Sequence, residues 1–506
     1  MQKKVLIIGG GMAGMSAGAY LQMNGFDTEI YELNTTPGGV CTSWQRGDYT
    51  VDWCVHWLVG SSPTDSLYER WSELIDMSRI EIIDHEEYAR VENLEGKQFH
   101  VYTDLDRLRE EMLELAPEDG AKIDEFILAC RKLTRFDTSN EFQSANLWYK
   151  VKKLWKILPF LGTLGKFSRI KTADYAKGFK NPLLRKAIHN MFEPDIPILF
   201  CMMTLAWMHK KAAGYPVGGS LNFARRIANR YVELGGKFHF NSRVEKILTE
   251  NDRATGIRLE NGEIHTADYV VSAADGYSTL YEMLERQFIS PVFEQFYSRG
   301  LTFPSLVFVA LGVGRTFQAI PHSYLFELKS PLRIDPETEL NDLYLRVHNF
   351  DPTLAPYGKT LLTCMIETRN YAYWVDLQRN EPERYQTEKQ RIADAVIDIL
   401  EDKLGQVRNL VEMTDVTTPA TIIHFTNNWK GSFEGFLITP DTGFKQLPHT
   451  LPGLNNFLMC GHWVAVGGGL PTAMMSGREV AQAICKKEGK LFEIVQLHPA
   501  DTFAEI

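Results

Sequence analysis

Val5-Leu6-Ile7-Ile8-Gly9-Gly10-Gly11-Met12-Ala13-Gly14 is the stretch that decides the fold, and Gly18 follows one helical turn later. Four β-forming apolar residues run straight into a glycine turn. Met15 to Asn24 then reads as a helix stopped by Gly25, and Asp27 to Glu32 reads as a second strand ending on an acid. Strand, glycine turn, helix, strand, acid is the dinucleotide-binding fingerprint. Gly9 permits the tight turn, Gly11 lets a pyrophosphate approach the backbone, and Gly14 lets helix and strand pack closely. The helix start, with Met12 and Ala13, offers free N–H groups and a partial positive charge to phosphates. Glu32 falls about 20 residues beyond the turn, where a carboxylate can accept ribose hydroxyls.

The rest of the chain sets bounds. At 506 residues it exceeds one core, so about two to four domains are expected. Charged residues make up 23% and hydrophobic ones 44%, the balance of a globular protein. A net charge of −10 excludes a general nucleic-acid binder. The seven cysteines form no C-x-x-C pair, which points to a reducing compartment without a disulfide framework. Lys3-Lys4 before the apolar run imitates a signal peptide, but three glycines break the run and Glu29 follows. No stretch reaches the roughly 18 apolar residues of a membrane span. The 13 histidines show no ligand spacing, so no metal is expected.

Two further blocks carry nucleotide-domain signals. In the first, Ser220 is placed to cap a helix with Ala224, Ile227, Ala228 and Tyr231 on one face, ending at Gly235-Gly236. Phe238 to Leu248 reads as a strand, and Asn261-Gly262 as a hairpin turn between Ile257–Glu260 and Glu263–Thr266. Tyr269 to Ala273 reads as a buried strand. In the second block, Phe457 to Gly461 is a strand. Gly467-Gly468-Gly469-Leu470-Pro471 then opens a helix with Pro471 in its first turn. Between the blocks, residues 61–212 read as mostly helical, with Thr103 and Asp106 opening a helix to Leu115. Residues 286–430 carry strands at Ser305–Gly312 and Leu361–Glu367 and a helix near Thr387–Leu404. The expected organisation is α/β. Residues 1–60, 213–285 and 431–495 form a discontinuous dinucleotide-binding Rossmann domain. Residues 61–212 and 286–430 form an inserted α+β substrate domain.

Taken in order, these pieces resemble the flavin-dependent phytoene desaturase family, which also holds carotenoid isomerases and retinol saturases. Pro37-Gly38-Gly39 and Asp52 follow the fingerprint as in the family's first segment. Gly214-Tyr215-Pro216-Val217-Gly218-Gly219 looks like its Tyr-Pro-x-Gly-Gly element. Arg243-Val244-Glu245-Lys246-Ile247 continues the match, as does Gly431 to Gly435. Gly461 to Gly477 resembles the closing Gly-Gly-Gly-x-Pro segment and its helix. Where many relatives have an arginine after the glycine pair, this chain has Val40 then Cys41, as sequences like retinol saturase also lack it. Where many carry an acid after the glycine of the last segment, this chain has His462.

The resemblance implies a glutathione-reductase-like fold and FAD. The adenosine half would lie on Gly9, Gly11, Gly14 and Glu32, with Gly38, Gly39 and Val244 beside it. Gly461, His462, Gly468, Gly469 and the helix start at Leu470, Pro471 and Thr472 would sit at the isoalloxazine ring. It implies hydride transfer between flavin N5 and a C=C or allylic C–C bond of an apolar polyene, a carotenoid or retinoid. The outcome would be saturation, desaturation or isomerisation. The flavin carries that chemistry, and the site needs orientation and dryness more than a dedicated acid or base. His56, in Asp52-Trp53-Cys54-Val55-His56-Trp57, is the polar residue expected near the flavin. No second glycine fingerprint for a nicotinamide cofactor follows, so a small diffusible electron donor or acceptor is expected.

Residues 147–171 hold seven basic residues and no acid inside an acidic chain. Trp148, Val151, Leu154, Trp155 and Leu158 fall on one helical face, flanked by Lys150, Lys152, Lys153 and Lys156. That is the pattern of a helix lying in a bilayer interface, and the expectation is a cytoplasmic, peripherally membrane-associated enzyme with this segment at its tunnel mouth. Two other readings stay open. One is a flavin amine-oxidase-like enzyme on a small polar substrate, and the other is a non-catalytic prenyl- or lipid-binding escort of the same fold.

Overall fold

The computed structural model describes residues 2–136, 155 and 157–496. Its organising element is a five-stranded parallel sheet with strand order Lys237–His239, Asp27–Tyr31, Lys4–Ile8, Tyr269–Ser272, Phe457–Met459. The central strand is apolar at every position after Lys4 because both of its faces are covered. Val5 and Ile7 pack into a core with the helices Met12–Met23, Gly219–Glu233 and Leu470–Lys487. Leu6 and Ile8 pack on the opposite side with Val244, Ile247 and Ile257. Those residues belong to a three-stranded antiparallel sheet, Val244–Glu250, Arg253–Leu259 and Ile264–Thr266.

Two glycines set how tightly this layer closes. A Cβ on Gly14 would stand 2.0 Å from the Gly9 carbonyl oxygen, and one on Gly477 would stand 2.4 Å from the Ala13 carbonyl oxygen. The first and last helices of the layer therefore cross backbone to backbone over the start of the glycine turn.

The second body is a seven-stranded sheet. Its order is Val411–Thr417, Ser305–Val313, Thr360–Thr368, Glu339–Val347, Ser323–Arg333, Glu87–Glu92, Gln98–Tyr102. Neighbours are antiparallel except for the parallel pairing of Ser323–Arg333 with Glu87–Glu92. One face packs on the helices Tyr371–Asn380 and Pro382–Leu404. A separate helical core gathers Leu105–Leu115, Gly120–Leu133 and Leu199–His209. The strands of the five-stranded sheet all come from residues 4–31, 237–272 and 457–459, and those of the seven-stranded sheet from 87–102 and 305–417.

Three local expectations change. Phe238 to Leu248 is two strands in two sheets, because Asn241 takes a left-handed φ of 54° and turns the chain between them. The helix Leu105–Leu115 is capped by Asp104, whose carboxylate accepts from the N–H groups of Asp106 and Arg107, and not by Thr103. Ser220 lies inside the first turn of its helix, after Gly218 at the cap. Its hydroxyl accepts instead from the N–H groups of Cys54 and Val55, tying that loop to the helix.

Candidate functional site

Gly9 has φ +97°, which only glycine adopts cheaply, and its N–H donates to the Tyr31 carbonyl. The turn thus ties the ends of the first two strands together. Glu32, at the end of the second strand, is buried. Its carboxylate accepts from the N–H of Gly10 at 2.6 Å and of Asn34 at 2.9 Å. Burial pushes its pKa up, and these donors pull against that shift. Across the turn, a Cβ on Gly39 would come within 3.3 Å of the Gly11 Cα, so this strip is bare backbone on both sides.

One cavity of about 1540 Å³ begins here. That exceeds the ~300–1,000 Å³ of a single drug-sized ligand, leaving room for a cofactor and a substrate together. Gly9, Gly11, Met12, Ala13, Glu32 and Val244 line one end. Gly38 and Gly39 line it beside them, and Gly14 lies just behind, where it allows the helix to approach. Gly461, His462, Gly468, Gly469, Pro471 and Thr472 line the middle with Leu470. The helix Leu470–Lys487 therefore points its N-terminus into the cavity, with Pro471 in the first turn, where it forfeits no hydrogen bond. Burial holds His462 near pKa 4, a neutral imidazole.

The rest of the wall is rich in apolar and aromatic side chains, with Trp57, Tyr88, Phe192, Met203 and Trp207, and carries the acids Glu193, Glu339, Asp342 and Glu367 among them. The cavity then reaches Phe136, Leu161, Leu164 and Gly165. His56 lies on the wall between Val55 and Trp57. Burial, with Arg346 and His348 nearby, holds its pKa well below that of a free imidazole, so it too is neutral.

Sequence reading missed the acids here. Glu434, inside the Gly431–Gly435 element, accepts a hydrogen bond from the Gly469 N–H at 3.1 Å, and burial pushes its pKa up to about 7. Glu193 and Glu367, on separate segments, both line the apolar arm. One oxygen of Glu193 has no hydrogen-bond partner, and the Glu367 carboxyl lies close enough to push on its titration. Two such groups coexist by sharing a proton. Burial raises the pKa of Glu193, against which Arg369, 3.5 Å away, pulls, and Glu367 is driven further, well above the usual carboxylate range, by desolvation at the cavity wall and by Glu193; we take Glu367 as the protonated partner. Among the described residues, no cluster of histidine, cysteine or acid is placed to hold a metal ion.

A fingerprint turn, a second helix N-terminus facing the same cavity and room beyond it for a substrate define a flavoprotein oxidoreductase. The chain matches the family described as flavin containing amine oxidoreductase over residues 12–485, and it belongs to that family. It is an FAD-dependent oxidoreductase. It is 24% identical over 515 residues to prolycopene isomerase 1, chloroplastic, of an Oncidium hybrid cultivar, covering 96% of this chain and 84% of that protein. It is equally 24% identical to a 4,4'-diapophytoene desaturase of Methylomonas, covering 97% of each. Among solved structures, a putrescine oxidase triple mutant shares the fold with TM-score 0.62 at 12% identity, over 96% of this chain and 99% of that one. A Methanosarcina mazei oxidoreductase shares it with TM-score 0.58 at 16% identity, over 95% and 100%.

Proposed function

We propose that this enzyme acts by hydride transfer on C=C or allylic C–C bonds of an apolar polyene, a carotenoid or retinoid. The observation that carries this reading is the cavity itself. Past the glycine-lined half it continues as an apolar arm, which suits a long hydrocarbon. Two of the relatives above are named for carotenoid substrates. Glu32, Gly9, Gly11 and Gly14, with Val244 beside them, would hold the adenosine half of FAD, and Gly468 to Thr472 would hold its ring. The flavin supplies the hydride chemistry. The chain's own residues bind and orient it, exclude water and, through the Glu193/Glu367 pair, hold a proton in the arm. His56 stays neutral at the wall.

The test is anaerobic. Reduced enzyme mixed with a retinoid or carotenoid should change the polyene spectrum. A blue shift with flavin reoxidation means saturation, and a new geometric isomer with no net flavin change means isomerisation. A red shift seen only with oxidised flavin means desaturation. If polyenes leave both redox states unchanged while an amine bleaches the oxidised flavin, the polyene reading falls.

The proposal extends to the membrane surface, with a small diffusible electron donor or acceptor and a cytoplasmic, peripherally associated enzyme. Most of the basic face, residues 147–154 and 156, lies outside the described residues. The remainder of the stretch supports the reading. Trp155 is 72% exposed, Leu158 and Leu161 are also exposed, and Leu161, Leu164, Gly165 and Ser168 line the cavity. Among the described residues no helix is long and apolar enough to cross a membrane. Replacing Lys150, Lys152, Lys153 and Lys156 by Gln should weaken sedimentation with anionic liposomes by at least about tenfold, since each lysine near such a surface contributes about 1 kcal/mol. Unchanged binding would remove the membrane from the proposal.

A further inference from the structure

We propose that Arg346 holds a small monovalent anion, of halide size, in a side cavity behind the wall of the large one. The strand Glu339–Val347 sorts its side chains by pleat. Leu343, Leu345 and Val347 pack into the core under the helices Tyr371–Asn380 and Pro382–Leu404. Tyr344 and Arg346 take the opposite face, where Arg346 is only 3% exposed. Its Nε and Nη2 are buried and meet no acceptor among the described residues. These two N–H groups share one edge of the planar guanidinium, the fork that grips an anion at two points.

A guanidinium stays charged, and a charge taken out of water needs a counter-charge. Among the described residues no carboxylate pairs with Arg346. The buried acids of this region are committed elsewhere. Asp52, which feels the field of Arg346, accepts from the Ser220 N–H at 2.7 Å. Asp351 accepts from the Tyr215 hydroxyl and the Gly218 N–H, each at 2.9 Å. Two acids line the side cavity itself. Glu87 is taken by Arg90 at 2.6 Å and His100 at 3.0 Å. Asp84 is exposed, so water screens its charge, and the cavity meets solvent there.

The side cavity measures about 20 Å³ and is lined by Arg346, His85 and His322, while His56 and Tyr344 line both it and the large cavity. Admitting one water-sized particle takes about 10–15 Å³, so the space suits a single small ion and not the carboxylate end of a chain. The His85 ring stacks on His322 with centroids 3.6 Å apart, which fixes its plane. Its Nε2 is buried and without a partner, placed to present an N–H to the same ion. Burial holds His85 near pKa 4, so it adds a donor and no charge. An anion on Arg346 would cancel the field that this cation throws on His56, and the site would be felt at the wall of the large cavity.

Wild-type holoenzyme in sodium gluconate, titrated with sodium chloride or bromide at constant ionic strength, tests this. Its melting temperature should shift upward and saturate, because an ion bound only by the folded state stabilises it by mass action. Arg346→Gln should abolish the shift. Crystals of the wild type grown in bromide should show an anomalous-scattering peak on the Nε/Nη2 edge of Arg346, and that peak decides the matter even if Arg346→Gln fails to fold. Water alone at that edge, with the same melting temperature in bromide and gluconate, overturns the site. A halide-dependent shift that persists in Arg346→Gln overturns it as well, since it places the ion elsewhere.

Discussion

Gly14→Val should yield a protein that purifies with almost no flavin. The Cβ it adds would sit 2.0 Å from the Gly9 carbonyl oxygen and 3.2 Å from the Ala273 Cβ. Neither neighbour is the far end of a flexible side chain, so no rotamer change relieves the clash. The helix Met12–Met23 must move off the first strand, and its N-terminal N–H groups move with it. Those groups and the helix dipole are what a pyrophosphate would meet. Overpacking a core position typically costs about 1–3 kcal/mol, and the displaced helix start adds the loss of cofactor affinity. The measurement is flavin absorbance per mole of protein, read beside the melting temperature. Gly47→Ala is the control: Gly47 turns the hairpin with open space around it, so that variant pays only the strain of its φ of 58° and should stay yellow. A Gly14→Val protein with full flavin would show that the turn does not hold the cofactor.

That prediction rests on residues the sequence already displayed, because a fingerprint is local. Its strand, turn and helix lie within one short stretch, and each position has a steric reason to be what it is. The same holds for Pro471 at the start of the last helix and for the Asn261-Gly262 turn, where Gly262 takes φ +90°. What stayed hidden depends on contacts between distant segments. Ser220 read as a cap, because Ser near a helix start usually is one. Its hydroxyl is claimed by Cys54 and Val55 instead, and nothing nearby in the sequence announces that. Asn241 interrupts an apolar run whose pattern suits a strand throughout, and a single left-handed residue sends its halves to different sheets. No motif or spacing links Glu193 to Glu367, and only the packing of the helical core against the seven-stranded sheet brings them together. Acids at the cavity wall were not expected because apolar chemistry gives sequence reading no reason to look for them.

That pair supports the second large effect. Glu367→Gln should lower turnover on a polyene by about a hundredfold or more, within the 10²–10⁴ range of general acid–base catalysis, while flavin content and substrate KM stay near wild type. Hydride transfer alone does not complete saturation: one carbon takes the hydride and its neighbour needs a proton. Desaturation needs the reverse, a proton taken from the carbon chain. In the arm the shared proton of Glu193 and Glu367 is the one at hand. Because the raised pKa belongs to Glu367, the pair holds its proton at neutral pH and releases it only as pH climbs through that raised value. If the enzyme delivers a proton, kcat falls as pH rises through the pair's pKa. If it removes one, kcat rises through the same range. Glu367→Gln should flatten the profile in either case, since an amide neither gives nor takes the proton. The sign of the wild-type slope thus reports the direction of the reaction, independently of the polyene spectrum. A Glu367→Gln enzyme with wild-type kcat and an unchanged slope would mean that the pair only fills space in the arm and that the proton comes from elsewhere.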